Sequence, residues 1–305
     1  MKIIHLDHPP AVEINGDGKV LALGFFDGVH IGHQKVIETA IKAAREKELE
    51  AAVMGLLSPR QGDVLTPPED MADLLAALGA DTFYVVHSDF GRLSHQSLIE
   101  QYVSKLNIKE MVVGFGDMPT DVDQLSGGKF PVTIVPAVTL NGVTVTSKRI
   151  RALIHQGAMS AAEELLGHSY RMKGQVVHGD KRGGEVLGFP TANIEISAPY
   201  VYPGSGIYAV QMKTKTGVYD GVGYIGSRPT FYEHDQIVTM EIHLFDFDQD
   251  VYGESVSVDW CLKLRDDIKF TNVPDLIDQM KHDVARARDY FKGRKALANP
   301  ANPCQ

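Results

Sequence analysis

Two segments of this 305-residue chain combine residue types and spacings that can do chemistry. The first is Gly24-Phe25-Phe26-Asp27-Gly28-Val29-His30-Ile31-Gly32-His33, which follows an apolar run and precedes a helical pattern. At the carboxyl end of a parallel strand, backbone N–H groups and a helix N-terminus favour an anion. Gly28 and Gly32 let the backbone come close to a phosphate. His30 and His33 are three apart, so in a first helical turn they share a face and can both donate to phosphate oxygens. A bland alternative is a glycine-rich strand–helix turn whose histidines pack or cap. Two histidines at this spacing weigh against it. Zinc is the other chemistry two histidines suggest, but no Cys and no evident third ligand stand nearby.

The second segment is Gly179-Asp180-Lys181-Arg182-Gly183-Gly184-Glu185-Val186-Leu187-Gly188-Phe189-Pro190-Thr191-Ala192-Asn193. A glycine loop with free N–H groups can wrap a polyphosphate. The Thr191 hydroxyl and the Asn193 carbonyl are hard oxygen donors suited to Mg²⁺, which also takes phosphate and water oxygens. On composition alone a plain β-turn would explain these residues equally well. Further on, strand alternation places Thr239, Glu241 and His243 on one face and Met240, Ile242 and Leu244 on the other. A carboxylate among apolar strand residues is expensive unless it has a task or a partner. His243 reads as structural. Asp246, Asp248 and Asp250 lack the Gly and terminal Glu of a calcium loop and read as a solvated turn.

These residues need elements to hold them. Apolar runs at 20–26, 51–57, 82–86, 110–115 and 132–138 alternate with helical patterns at 33–49, 70–78 and 97–106, which predicts βαβ crossovers and a parallel sheet. Helical stretches at 149–157 and 160–166 follow, with Gly157 and Gly167 as C-terminal stops. After Gly167 the pattern becomes short β-branched and aromatic segments separated by Gly, Asp and Pro, the mark of an antiparallel barrel or sandwich. A helix over 273–293 closes it, and the tail 294–305, with two prolines and little to bury, is expected to fray. The predicted division is therefore 1–168, 169–293 and the tail.

Composition sets the outer limits. Lys plus Arg number 30 against 39 for Asp plus Glu, and a net charge of −9 argues against a duplex-nucleic-acid partner. Residues 1–168 carry 14 basic and 21 acidic groups, and the remainder 16 and 18, so neither half is basic. Two cysteines, Cys261 and Cys304, make no disulfide framework, which points to a reducing, cytoplasmic setting. No run approaches about 18 apolar residues, so no membrane span or membrane partner is expected.

The first decapeptide resembles the nucleotide-binding signature of the HxGH nucleotidyltransferases, and its Phe-Asp-Gly-Val-His wording resembles the adenylyltransferase module of prokaryotic bifunctional riboflavin kinase/FAD synthetases. Thr146-Ser147-Lys148-Arg149-Ile150-Arg151 is similar to the Ser-Ser-Thr-x-Ile-Arg motif of that group. The resemblance implies a Rossmann-like α/β domain in which His30 and His33 stabilise charge on the α-phosphate while FMN is joined to the AMP part of ATP. It also implies nucleotide contacts from Gly24, Phe26, Asp27, Gly28, Gly32, Ser147, Arg149 and Arg151. Gly-Phe-Pro-Thr-Ala-Asn at 188–193, Gly-Ser-Arg-Pro-Thr-Phe at 226–231, Glu-x-His-x-Phe-Asp-Phe at 241–247, Tyr252-Gly253 and Leu264-Arg265 resemble, in that order, the riboflavin kinase domain. That likeness implies an antiparallel β-barrel with Glu241 as general base toward the ribityl hydroxyl of riboflavin. It implies Gly179, Gly183, Gly184, Gly188 and Asn193 at the nucleotide, Thr191 and Asn193 on Mg²⁺, and Arg265 and Phe270 at the flavin. Riboflavin, FMN and ATP would be the small-molecule partners, with FMN and FAD as products rather than prosthetic groups.

Besides the altered form of the Ser-Ser-Thr-x-Ile-Arg motif at 146–151, the chain departs from the family pattern at three places. Leu57-Ser58-Pro59-Arg60-Gln61 stands for Phe-x-Pro-His-Pro, and Val112-Val113-Gly114-Phe115-Gly116-Asp117-Met118-Pro119 stands for Val-Val-Gly-x-Asp-Phe-x-Phe-Gly. Tyr224 stands where Asn is usual before Ile-Gly. The first two leave open an alternative in which the N-terminal half is a non-catalytic nucleotide- or flavin-responsive module, with any FAD synthesis weak.

Overall fold

The computed structural model describes residues 1–6, 18–57, 63–87, 100, 102–115, 126–178, 189–196, 198–229 and 236–298. The chain divides into two compact units, Met1–Ile150 with Leu165–Gly167, and Arg151–Glu164 with His168–Gln305.

The first unit is built on a parallel sheet of β1 (Lys2–Leu6), β2 (Lys19–Gly24), β3 (Glu50–Leu57), β4 (Thr82–His87), β5 (Ile108–Gly114) and β6 (Val132–Val135). Their spatial order is β1-β4-β3-β2-β5-β6. Central β2 is buried at every position, as a strand covered on both faces must be. Leu21 and Leu23 pack with Ala52, Met54, Tyr84 and Met111 on one face. Val20 and Ala22 pack on the other with Val53, Phe83 and the inner stripe Val36, Ile37, Ala40 and Ala44 of α1 (Ile31–Glu46). Helix α2 (Pro68–Leu78) begins on a proline and ends at Gly79, whose φ of 98° suits a left-handed C-terminal stop. The order of strands reverses between β2 and β5, so the carboxyl ends of those strands bound the crevice where open α/β sheets take ligands.

Strand β1 was not anticipated from the sequence. Its residues are mostly exposed and gain their conformation from pairing with β4, from Lys2 opposite Thr82 to Leu6 opposite Val86. The helix expected over 97–106 is seen only in part. Residues 97–99 and 101 lie outside the described residues, and Val103–Lys105 form a single 3₁₀ turn. The strand expected over 132–138, β6, ends at Val135, before Pro136, which has no N–H to donate. A small hairpin, β7 (Thr139–Leu140) and β8 (Val143–Thr144), turns through Asn141 and Gly142, both at positive φ. Helices α3 (Ser147–His155) and α4 (Met159–Leu166) follow, and Gly157 and Gly167 sit left-handed where each stops.

In the second unit, β9 (Tyr170–Val177), β10 (Ala192–Glu195), β11 (Gly206–Lys213), β12 (Val218–Pro229), β13 (Gln236–Leu244) and β14 (Ser255–Arg265) close into an antiparallel barrel ordered β10-β13-β12-β11-β14-β9. Its interior is filled by Met172, Val176, Ile194, Tyr208, Val210, Met240, Ile242, Val258 and Trp260, with the Tyr208 and Trp260 rings edge to face at 5.2 Å. Helix α5 (Val273–Ala298) covers Ala209, Cys261 and Leu264 with Ala287 and Phe291. The expectation of a fraying tail from residue 294 is corrected here, because α5 continues to Ala298. Arg294 bonds Glu163 and Ser169 Oγ, and Lys295 Nζ meets Asp220 at 2.8 Å. Those tertiary partners hold a last turn that the local sequence gives no reason to keep. Residues 299–305, with Cys304, lie outside the described residues.

Candidate active sites

The loop between β2 and α1 places Gly24–His33 at the crevice of the parallel sheet. Its backbone is tight: Phe26, Gly28 and Val29 have φ of 48°, 88° and 40°. Two of the three are non-glycine residues in a sparsely populated region, a cost the surrounding contacts must hold down. Asp27 supplies much of that restraint. Its Oδ1 accepts from Leu65 N at 2.8 Å and Thr66 N at 3.1 Å, and its carbonyl accepts from Ser147 Oγ at 2.9 Å. Gln34 Nε2 donates to Val29 O and Leu166 O. A Cβ on Gly28 would lie 2.8 Å from Leu65 Cδ1, so only glycine fits.

His30 is the N-cap of α1, its Nδ1 accepting from His33 N at 3.2 Å. Accepting there leaves the proton of the neutral ring on Nε2, as a donor. The His30 and His33 rings stack with centroids 3.5 Å apart, and His33 meets the Phe26 ring edge to face at 5.5 Å. Both histidines are buried, which lowers the His30 pKa to about 4 and holds His33 well below its usual value, with a further push from His30. They are neutral at pH 7, so before a nucleotide arrives they are hydrogen-bond donors and not charges. His33 Nδ1 is buried without a hydrogen-bond partner. Gly32 packs close under the His30 ring, where a Cβ would meet Cε1 at 3.1 Å.

Two residues expected at the nucleotide, Phe26 and Asp27, are buried. Phe26 is 1% exposed, and its ring packs in the core against His33. The Asp27 carboxylate is occupied with the Leu65 and Thr66 N–H groups and positions the loop. Ser147 touches the loop through Asp27 O, while Arg149 lies exposed in the first turn of α3, which Thr146 caps through Oγ1 to Arg149 N. Arg151 begins the second unit. Of the altered motifs, Ser58–Gln61 and Gly116–Pro119 lie outside the described residues, but Phe115 stands 61% exposed at the end of β5.

In the barrel, the register brings together what the sequence listed far apart. Asn193 on β10 pairs directly with Glu241 on β13, Glu241 with Tyr224 on β12, Tyr224 with Ile207 on β11, and Ile207 with Arg265 on β14. Directly opposed residues present their side chains on one face. Glu241 is half-buried on that face while its neighbours Met240 and Ile242 fill the interior, as the alternation predicts. Thr191 immediately precedes β10, two residues before Asn193. His243 Nδ1 donates to Pro190 O at 2.9 Å, and its ring meets Phe189 edge to face at 5.3 Å. His243 therefore anchors the turn that delivers Thr191, in keeping with a structural role. Gly179, Gly183, Gly184 and Gly188 lie outside the described residues.

The expected flavin pair also meets. The Arg265 guanidinium lies 5.9 Å from the centre of the Phe270 ring, and its Nε bonds both oxygens of Asp283 at 3.0 and 3.1 Å. Asp283 is buried and also accepts from Gln279. No local pattern points to this partner, since it lies 18 residues on, on a helix face that is polar at that point. A cavity of about 230 Å³ opens on the same strands as Asn193 and Glu241, lined by Ile194, Glu195, Ile196, Tyr202, Val238 and Met240. Asp246 pairs with Arg288 and Asp250 accepts from Tyr252 N, so these aspartates serve turn and helix contacts. Among the described residues no group of three or more His, Cys, Asp or Glu could hold a metal. That excludes neither Thr191 nor Asn193, which suit a cation that keeps phosphate and water oxygens.

Comparison with known proteins agrees with this two-unit arrangement. Family models for FAD synthetase and for riboflavin kinase match residues 13–149 and 166–291 respectively. A Bacillus subtilis bifunctional riboflavin kinase/FMN adenylyltransferase is 39% identical, covering 95% of this chain and 98% of the relative. Its counterpart from Escherichia coli K12 is 32% identical, covering 93% and 95%. Among solved structures, one described as a macrolide-efflux protein from Streptococcus pneumoniae superposes with a TM-score of 0.81 at 31% identity, covering 92% of this chain and 97% of that one. No helix among the described residues is long and apolar enough to cross a membrane. With both unit types present in order and relatives matched over nearly their whole length, the chain belongs to the bifunctional riboflavin kinase/FMN adenylyltransferase family.

Proposed function

We propose that this chain phosphorylates riboflavin to FMN in its barrel, residues 169–293, and adenylylates FMN to FAD in its α/β part, residues 1–168, using ATP for both. The observation that carries the kinase reading is the direct pairing of Asn193 with Glu241, which sets a carboxylate beside an oxygen donor on one face of the barrel. Glu241 takes the proton of the ribityl 5′-hydroxyl as that oxygen bonds the γ-phosphorus. The bond from phosphorus to the β–γ bridging oxygen breaks, and ADP leaves. Thr191 Oγ1 and Asn193 Oδ1 would hold Mg²⁺, which when bound offsets phosphate charge. The glycines of 179–188 would take the phosphates, and Arg265 with Phe270 the isoalloxazine ring.

In the α/β part, an oxygen of the FMN phosphate attacks the α-phosphorus of ATP and pyrophosphate leaves. His30 and His33 donate from Nε2 to the α-phosphate oxygens, with the N-terminus of α1 adding its dipole. Gly24, Gly28 and Gly32 allow close approach, Asp27 and Ser147 fix the loop, and Arg149 contributes positive charge. The two-cysteine composition supports a reducing, cytoplasmic setting. Incubating the purified chain with riboflavin, ATP and Mg²⁺ and resolving the flavins by chromatography tests both steps. FMN and FAD together are expected. FMN alone would assign the α/β part a non-catalytic role, and neither product would overturn the proposal.

A further inference from the structure

The row of paired residues that joins Asn193 to Glu241 continues into Tyr224. Direct opposition puts the Tyr224 and Glu241 side chains on one face, with Cβ atoms roughly 5 Å apart. The tyrosine ring lies along its own strand over Gly226. A Cβ at 226 would stand 2.1 Å from the Tyr224 hydroxyl and 2.5 Å from Cζ, so a side chain there would displace the ring. From this position the hydroxyl donates to Asp267 Oδ2 at 3.3 Å. Asp267 lies between Arg265 and Phe270, in a stretch that leaves Ile268 47% exposed. Arg265 is fixed at one end of that stretch by Asp283, and Tyr224 holds its middle.

We infer that Tyr224 is a positioning residue for the flavin: laid over Gly226 beside Glu241 and bonded to Asp267, it sets the segment Arg265–Phe270 relative to the base. The inference rests on the reading above that Glu241 is the base and that Arg265 and Phe270 face the flavin. Its consequence is selective. Loosening the segment weakens riboflavin placement and leaves the Thr191–Asn193 side, and hence ATP, unaffected.

The test uses the full chain, with riboflavin binding followed by flavin fluorescence and FMN formation measured against each substrate in turn. Tyr224→Phe and Asp267→Ala should each raise the riboflavin KM about three- to tenfold while the ATP KM stays within about twofold, the effect of losing one exposed hydrogen bond. The double variant should be no worse than either single change. Asp267→Asn, which keeps an acceptor oxygen, should restore riboflavin binding. Gly226→Ala should raise the riboflavin KM in the unmodified chain but far less beside Tyr224→Asn, whose shorter side chain does not reach residue 226. Additive effects, an equal rise in the ATP KM, or unchanged riboflavin binding in both single variants would overturn the inference. Should a Tyr224 variant fail to fold, the exposed Asp267 pair of changes still decides it. Equilibrium binding does not need turnover, so a failure of the kinase reading, seen as no FMN from the unmodified chain, is separable from a failure here.

Discussion

Glu241 and His30 were both picked out by their neighbours in sequence, and the structure gives them opposite kinds of surroundings. Glu241 sits half-buried on the outward face of β13, with Asn193 and Tyr224 as cross-strand neighbours. Replacing it by Gln keeps shape and removes basicity, so FMN formation should fall by about 10²–10⁴-fold, the usual range for a general base. Riboflavin binding should persist, and undiminished turnover would refute the assignment. Thr191→Val deletes one oxygen donor and keeps the branched side chain. The Mg²⁺ concentration for half-maximal rate should rise at least threefold or so, since a hydrogen-bonding or metal-binding hydroxyl contributes on the order of 1 kcal/mol. An unaltered Mg²⁺ dependence would remove Thr191 from the metal. His30 and His33 differ in that the spacing showed they could meet one ligand, whereas their neutrality comes from burial. Nothing in ten residues of sequence reports that the loop is closed over by Leu65, Thr66 and Leu166.

At the scale of elements, local pattern carried most of the architecture and non-local pairing carried the rest. The inner strands β2 to β5 and helices α1 and α2 announce themselves through continuous apolar runs and a one-sided stripe. Strand β1 does not, because Lys2–Leu6 is an edge strand whose residues are mostly exposed and whose reason for being extended is β4. The short β-rich segments predicted a barrel or sandwich but not which. Closure depends on β9 pairing both β10 and β14, a register no segment encodes alone. The same limit explains the end of α5. Its last turns look dispensable in sequence, yet Arg294 and Lys295 reach Glu163 and Asp220. Ending the chain at Gly293 should therefore lower the stability of the barrel unit by about 1–2 kcal/mol, the sum of a few partly exposed charged contacts. Arg294→Ala with Lys295→Ala should reproduce most of that loss in urea unfolding. An unchanged midpoint in both would show that the pairs contribute nothing measurable.

For the molecule as a whole, two chemistries in series are carried by two units with different sensitivities to acid. His30 has a folded pKa of about 4 against an ordinary value of 6.5, and His33 is lowered in the same sense. Between those values the unfolded chain binds a proton that the folded chain refuses, so stability rises with pH across that window and is lost as pH falls through it. His30 alone should cost the first unit about 2 kcal/mol between pH 7 and pH 5. The barrel unit contains neither histidine but holds Trp260, the one tryptophan of the chain, so tryptophan emission reports that unit while circular dichroism reports both. Urea unfolding at pH 7 and pH 5 should show the dichroism midpoint dropping on acidification by more than the emission midpoint. His30→Ala with His33→Ala should close that gap by removing the groups that titrate, and should abolish FAD formation while FMN formation continues. Equal acid shifts of both signals in the unmodified chain would show that the buried histidines do not govern the first unit. A gap that survives the double substitution would place its cause in other groups.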